Sequence, residues 1–290
     1  MLKGSFVAMT TPFRKGAVDY ARLEQLIDFH VREGTTGLCP CGTTGESATL
    51  TTEEHKEVVA FVVKHAAGRL PVMAGTGSNC TQEAVELTIA AAKTGADSCL
   101  LISPYYNRPE PEGMFLHFKA VADAAHLPMV LYNIPSRTGR EIAMETVLRL
   151  ADEVKEVAGI KEAGGSLDRV SELCRRTRLD VLSGDDSLTL PMISVGAKGV
   201  VSVLANIIPR DVAGMVSAAL AGEAASARAA HLKMLPLIKA MFVESNPIAI
   251  KTAMGLLGLC AGELRLPLSP MRPENESKLR QAMRDYGLLK

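Results

Sequence analysis

The chain has 290 residues, 47% of them hydrophobic, and its 32 basic and 32 acidic side chains cancel to a formal net charge of zero at pH 7. No basic block of the kind that binds phosphate backbones is present, and no apolar run approaches the ~20 residues that cross a bilayer, so neither nucleic acid nor membrane is an expected partner. The opening Met1-Leu2-Lys3-Gly4-Ser5-Phe6 lacks the basic-then-apolar order of a secretion signal, so the expected location is cytoplasmic.

Along the chain, short apolar runs alternate with longer amphipathic ones. Residues 5–9 read as a strand, and 20–33 carry apolar side chains at 23, 26, 27 and 31, the spacing of one helix face. Strand 37–39 precedes helix 52–66, with Thr51 or Thr52 as N-cap and acidic residues in the first turn. Strand 71–74 leads to helix 81–94, and strand 98–102 to helix 113–125. Strand 128–132 leads to helix 144–150, strand 158–161 to helix 167–176, and strand 180–183 to helix 187–195. Residues 199–202 are the eighth strand. Eight strand–helix units in succession predict an α/β chain built as a (β/α)8 TIM barrel over residues 1–208. Two doubly wound domains fit less well, because the strands are short and evenly spaced, and Gly75-Thr76-Gly77 is only a fragment of a dinucleotide-binding turn. Residues 209–290 read as all-helical, over 210–220, 223–241, 247–258 and 275–286, which predicts a C-terminal helical extension packed on the barrel. Pro236 should kink or split the second of these helices.

In a barrel, the C-terminal strand ends and the loops after them form the active face. After strand two comes Gly42-Thr43-Thr44-Gly45-Glu46-Ser47, where paired threonines in a glycine turn offer backbone N–H groups and hydroxyls to a carboxylate. An ordinary glycine turn reads the same way. Ser103-Pro104-Tyr105-Tyr106-Asn107-Arg108-Pro109 follows strand four; its tyrosines suit either proton donation or packing at a subunit interface. Strand five ends in Tyr132-Asn133-Ile134-Pro135-Ser136-Arg137-Thr138-Gly139, where Arg137 suits a bidentate carboxylate. Strand six ends in Lys161. An amine stripped of hydration ionises less readily, and a neutral amine attacks ketones; a strand-end lysine that reaches back to water is the bland alternative. Ser183-Gly184-Asp185-Asp186 after strand seven reads equally as a bend or a helix cap. One amine, two phenols, a threonine hydroxyl and an arginine on one face suit imine formation with a keto acid better than metal hydrolysis. Of the six cysteines, Cys39-Pro40-Cys41 could hint at a metal pair, but no second pair stands at zinc spacing, so neither metal nor disulfide framework is expected. Pro40 would leave one barrel hydrogen bond unmade unless it sits at a bulge.

These segments, in this order, resemble the dihydrodipicolinate synthase family, within the wider superfamily of pyruvate-dependent class I aldolases. The wider group shares Gly42-Thr43-Thr44-Gly45-Glu46, Tyr132 and Lys161; the narrower likeness rests on the segments 105–109 and 132–139, with Ser183-Gly184-Asp185-Asp186 and Glu244-Ser245-Asn246-Pro247. The resemblance implies a lyase of lysine and diaminopimelate biosynthesis that needs no cofactor and condenses pyruvate with L-aspartate 4-semialdehyde. It implies that Lys161 forms the Schiff base and that Tyr132 relays protons through Thr43 to Tyr106, the last contributed by a neighbouring subunit. Thr44 would hold the pyruvate carboxylate and Arg137 that of the semialdehyde, with Gly184 and Val201 lining the pocket by main-chain groups. It also implies a homotetramer, a dimer of dimers, and an L-lysine inhibitor site matching Ser47, Ala48, His55, Asn79, Glu83 and Tyr105, although Thr52 stands where some inhibited relatives have histidine. Two other readings are open. A sibling aldolase acting on sialic acid or 2-keto-3-deoxy sugar acids would keep Lys161 and Tyr132 but not need Arg137. A non-catalytic keto-acid sensor would need no covalent imine.

Overall fold

In the computed structural model, which describes residues 2–290, eight parallel strands form a barrel. They are β1 (Gly4–Ala8), β2 (Gly37–Cys39), β3 (Met73–Gly75), β4 (Ser98–Ile102), β5 (Met129–Asn133), β6 (Val157–Glu162), β7 (Asp180–Ser183) and β8 (Gly199–Ser202). Pairing runs β2-β1-β8-β7-β6-β5-β4-β3, and a single bridge between Leu38 and Val72 closes β2 on β3. Side chains alternate across each strand. Phe6, Ala8, Cys39, Met73, Leu100, Val130, Tyr132, Leu182 and Val201 fill the barrel interior. Val7, Leu38, Leu101, Leu131, Ile160, Val181 and Val200 face outward into a second, larger apolar layer beneath the helices. With both faces buried, the strands read as unbroken apolar runs, which is what made them visible in the sequence.

Pro40 explains why β2 is short. The strand stops at Cys39, and beyond it the ladder continues only through the Pro40 carbonyl, which accepts from the Gly75 N–H at 2.9 Å. Helix 52–66 begins at a full capping box, Thr51 with Glu54, each side chain bonded to the other residue's backbone N–H. Two small elements were not foreseen: a hairpin of Phe13–Arg14 with Ala17–Val18, and a four-residue helix, Pro135–Thr138. The helix expected over 187–195 is instead a 3₁₀ turn (Asp186–Leu188) running into Thr189–Ser194.

Helix Pro209–Leu220 packs on β1 and β8. Helices Ala224–Met241, Ile248–Leu256 and Pro273–Tyr286 follow it. Pro236 does not split its helix. Pro236 and Leu232, whose carbonyl loses its helical partner, both lie on the exposed side, where water can satisfy that carbonyl. Among the described residues no helix is long and apolar enough to cross a membrane.

Candidate active site

Strand alternation decides what the end of β6 presents. Ile160 faces the outer layer, so Lys161 turns into the barrel and Glu162 outward again. Lys161 is 6% exposed, and its register partner on β5 is Tyr132. The lysine Nζ lies 4.1 Å from the centroid of the Tyr132 ring. On the other side stands Gly184, just past β7. A Cβ there would fall 2.7 Å from that of Ala163 and 3.0 Å from Lys161 Cε, so glycine leaves the room that the lysine stem occupies. Val201 on β8 and Cys39 on β2 share the interior cluster with Tyr132. Burial pushes the Cys39 thiol up to about 11, while the nearby Lys161 ammonium pulls it the other way. Cys41 belongs to the outer layer, so the two cysteines do not face a common point. Among the described residues no three His, Cys, Asp or Glu side chains gather as metal ligands.

The glycine turn after β2 is a 3₁₀ turn, Thr43–Gly45. Thr44 is buried, and its Oγ1 accepts from Asn246 Nδ2 at 3.0 Å. Thr11 Oγ1 donates to the Gly45 carbonyl at 2.7 Å from the opposite side. Arg137, on the short helix Pro135–Thr138, donates through Nη2 to the Asn246 carbonyl at 2.9 Å. One asparagine therefore ties together the threonine turn and the loop guanidinium. Sequence reasoning included Asn246 only in a motif and gave it no role.

Beside these groups opens a cavity of about 400 Å³, whose lining does not include Lys161, Thr44, Gly184 or Val201. Thr43, Tyr132, Arg137 and Asn246 line one part of it; Ser47, Ala48, His55, Glu83 and Tyr105 line another. Tyr132 both lines the cavity and touches the amine. His55 is buried, which lowers its pKa, and its Nε2 meets the Gly75 carbonyl at 2.7 Å; since a carbonyl only accepts, that nitrogen carries the proton. Asn79 is not part of the lining; its carbonyl accepts from Asn107 Nδ2 at 2.8 Å. Tyr106 is 90% exposed, with φ of 69°, and lies outside the cavity, so within one chain it does not join Tyr132 and Thr43.

Behind the strand ends lies a charged network that sequence reasoning missed. Glu162 is 1% exposed and accepts from Asn133 Nδ2 (2.8 and 3.0 Å), the Gly164 N–H (2.7 Å) and Arg169 Nε (2.9 Å). Asn133 Oδ1 accepts from the Ile142 N–H at 3.0 Å, and Arg169 Nη2 donates to the Ile142 carbonyl at 2.7 Å. The residues next to Tyr132 and Lys161 are thus locked together on the outer face. The only signal in the sequence was a pair of polar residues at the ends of otherwise apolar strands.

Residues 1–286 match the model of the dihydrodipicolinate synthetase family. A 4-hydroxy-tetrahydrodipicolinate synthase of Geotalea uraniireducens is 53% identical, with both chains covered in full. Two solved structures superpose closely. The chloride-inhibited dihydrodipicolinate synthase of Acinetobacter baumannii, complexed with pyruvate, has a TM-score of 0.97 at 41% identity and full coverage of both chains. The enzyme of Cyanidioschyzon merolae with lysine bound has a TM-score of 0.96 at 41% identity, with 99% of each chain covered.

Proposed function

The chain belongs to the dihydrodipicolinate synthetase family, and we propose that its reaction runs through an imine on Lys161. The activity is that of a 4-hydroxy-tetrahydrodipicolinate synthase, a lyase that condenses pyruvate with L-aspartate 4-semialdehyde. The observation that carries the mechanism is the setting of Lys161: an amine 6% exposed, inside the barrel, against the Tyr132 ring and the space left by Gly184. The amine adds to the pyruvate ketone and the carbinolamine loses water to give the imine. Loss of a methyl proton gives an enamine, whose carbon attacks the semialdehyde's aldehyde. The semialdehyde's own amino group then attacks the imine carbon, which closes the ring and frees Lys161.

Tyr132 is placed to move these protons, since it touches both the amine and the cavity. Thr43 would pass them on to Tyr106 of an adjacent copy; the exposure of Tyr106 in one chain supports a role across an interface, and with it a homotetrameric dimer of dimers. Thr44 would hold the pyruvate carboxylate, Arg137 that of the semialdehyde at the mouth, and Gly184 and Val201 would border the bound pyruvate. L-Lysine would inhibit from the part of the cavity with Ser47, Ala48, His55, Glu83 and Tyr105, where the Glu83 carboxylate suits an ammonium and Asn79 stands beside rather than within. Such inhibition fits the lysine-bound relative and the single cavity shared with Tyr132.

Pyruvate with borohydride should add one reduced pyruvate per chain, on Lys161, with no adduct in Lys161→Ala; trapping on another lysine sinks the mechanism. In the coupled assay, Arg137→Ala should raise KM for the semialdehyde far more than for pyruvate. Millimolar L-lysine should depress the rate; an unchanged rate, with no heat of binding, removes the inhibitor site.

A further inference from the structure

The turn that carries Thr43 and Thr44 ends in a residue whose conformation and surroundings the reaction does not explain. Glu46 holds a left-handed backbone, φ 54° and ψ 38°, although it is not glycine. This region is sparsely populated for residues with a Cβ, and persists where the surroundings enforce it. What enforces it here is visible. The Glu46 side chain is fully buried and its Oε1 meets Lys251 Nζ at 2.5 Å. Its other oxygen accepts from the Arg265 backbone N–H at 3.0 Å. Lys251, on helix Ile248–Leu256, is also fully buried; its Nζ donates to the Glu263 carbonyl at 2.7 Å and stands 4.0 Å from the centroid of the Phe13 ring. Both charges are therefore spent on the protein itself, although Glu46 also borders the cavity that Thr43 and Tyr132 line.

A buried ion pair is weak evidence for stability, because the cost of desolvating two ions rivals their attraction. A pair of this kind is better understood by what it fixes. Glu46 lies two residues from Thr44 and three from Thr43, and both partners of its side chain, Lys251 and the Arg265 N–H, come from outside the turn. The same extension supplies Asn246, five residues before Lys251, which bonds the Thr44 hydroxyl and the Arg137 guanidinium. We infer that Lys251 is a positioning residue for this reaction: acting through Glu46, it sets the posture of the threonine turn, and hence the affinity for the carboxylate of the keto acid. The inference rests on the assignment of Thr44 to the pyruvate carboxylate.

The test uses the full-length double variant Glu46→Gln/Lys251→Met, which removes both charges together and leaves no unpaired ion. Pyruvate KM and semialdehyde KM are measured alongside Tm and borohydride trapping. The expected result is a rise of about tenfold or more in pyruvate KM, a much smaller change in semialdehyde KM, and an imine that still forms on Lys161. Glu46→Gln alone, which keeps an oxygen facing Lys251, should recover part of that loss. An unchanged pyruvate KM, or equal rises for both substrates, overturns the inference and leaves the pair a structural one. Trapping in the unaltered protein separates the two levels. If that protein forms the imine on Lys161 while the double variant binds pyruvate normally, only the positioning role falls. If no imine forms in the unaltered protein, the role falls together with the mechanism it rests on.

Discussion

Two buried ion pairs stand behind the two halves of the site, and they are built in opposite ways. Glu162 and Arg169 are seven residues apart, on β6 and the helix that follows, and the carboxylate collects further donors from Asn133 and Gly164. Glu46 and Lys251 are 205 residues apart, one on a turn at the barrel mouth and the other in the helical extension. The first pair forms within the βα unit that carries Lys161 and its β5 neighbour. The second exists only once the extension has docked. The amine and the phenol are thus held by the barrel itself, whereas the threonine turn depends on a contact that closes last in sequence distance. Loop-closure entropy falls mainly on the second kind of contact.

The largest effect should come from the half held locally. Tyr132→Phe keeps the ring beside Lys161 Nζ and removes only the hydroxyl, so the imine should still form on the same residue. Loss of one positioned proton-transfer group costs about 10²–10⁴ in rate. A fall in kcat of that size, with pyruvate still trapped, would show that the β5–β6 half supplies chemistry as well as a scaffold. A tenfold or smaller fall would remove the relay and leave Tyr132 as packing.

Next comes the stability of that half. Arg169→Met leaves Glu162 buried, with its N–H donors but without its cation. Removing one partner of a buried pair costs about 3–5 kcal/mol, since an uncompensated charge is left behind. Denaturant unfolding of the variant should show a loss in that range. A loss under about 1 kcal/mol would mean that Asn133 and the Gly164 N–H suffice, and that the pair differs less from its long-range counterpart than its geometry implies.

The same contrast separates what could be read from the sequence from what could not. Strands buried on both faces and helices with one apolar stripe leave periodic traces, so the eight units were legible in order. Gly184 and Val201 entered only through the family resemblance, whereas the strand-end rule brought Lys161 and Tyr132 to one face without any distance being known. Thr43 and Arg137 reach the cavity beside them. The hairpin at 13–18 and the helix Pro135–Thr138 were missed because elements of two to four residues complete no period. Nothing in the sequence of helix Pro209–Leu220 says which layer it packs against; its contact with β1 and β8 is visible only in the fold. Lys251 sat unnoticed in a helical run, since a buried lysine and an exposed one look alike until the partner is known. Tyr106 shows the same limit in another form: its surroundings within one chain are solvent.

The smallest effect concerns the outermost contact between extension and barrel, and it tests how the extension is secured. Arg265 donates through Nη1 and Nη2 to the two Glu54 oxygens, both at 2.6 Å, and its guanidinium lies 4.3 Å from the Phe13 ring centroid. The hydrogen bond from Arg265 is the main reason that Glu54 titrates at about 2 instead of 4.5; partial burial opposes the shift, and the Thr51 N–H of the capping box and the Arg265 charge add to it. A carboxylate with its folded pKa depressed binds its proton more readily in the unfolded chain. Its contribution to stability is therefore complete above pH 4.5 and is lost as pH falls through that value toward 2. Other carboxylates titrate in the same window, so the informative quantity is a difference. Between pH 5 and 2, Tm should fall more steeply in the unaltered protein than in Glu54→Gln, which cannot release a proton but still offers an oxygen to the Thr51 N–H. Parallel curves would mean that this half-buried clamp adds nothing to docking. The extension would then be held at this edge by the Glu263 contacts to the hairpin N–H groups of Lys15 and Gly16, at 2.8 and 2.6 Å, and by the buried Glu46–Lys251 pair.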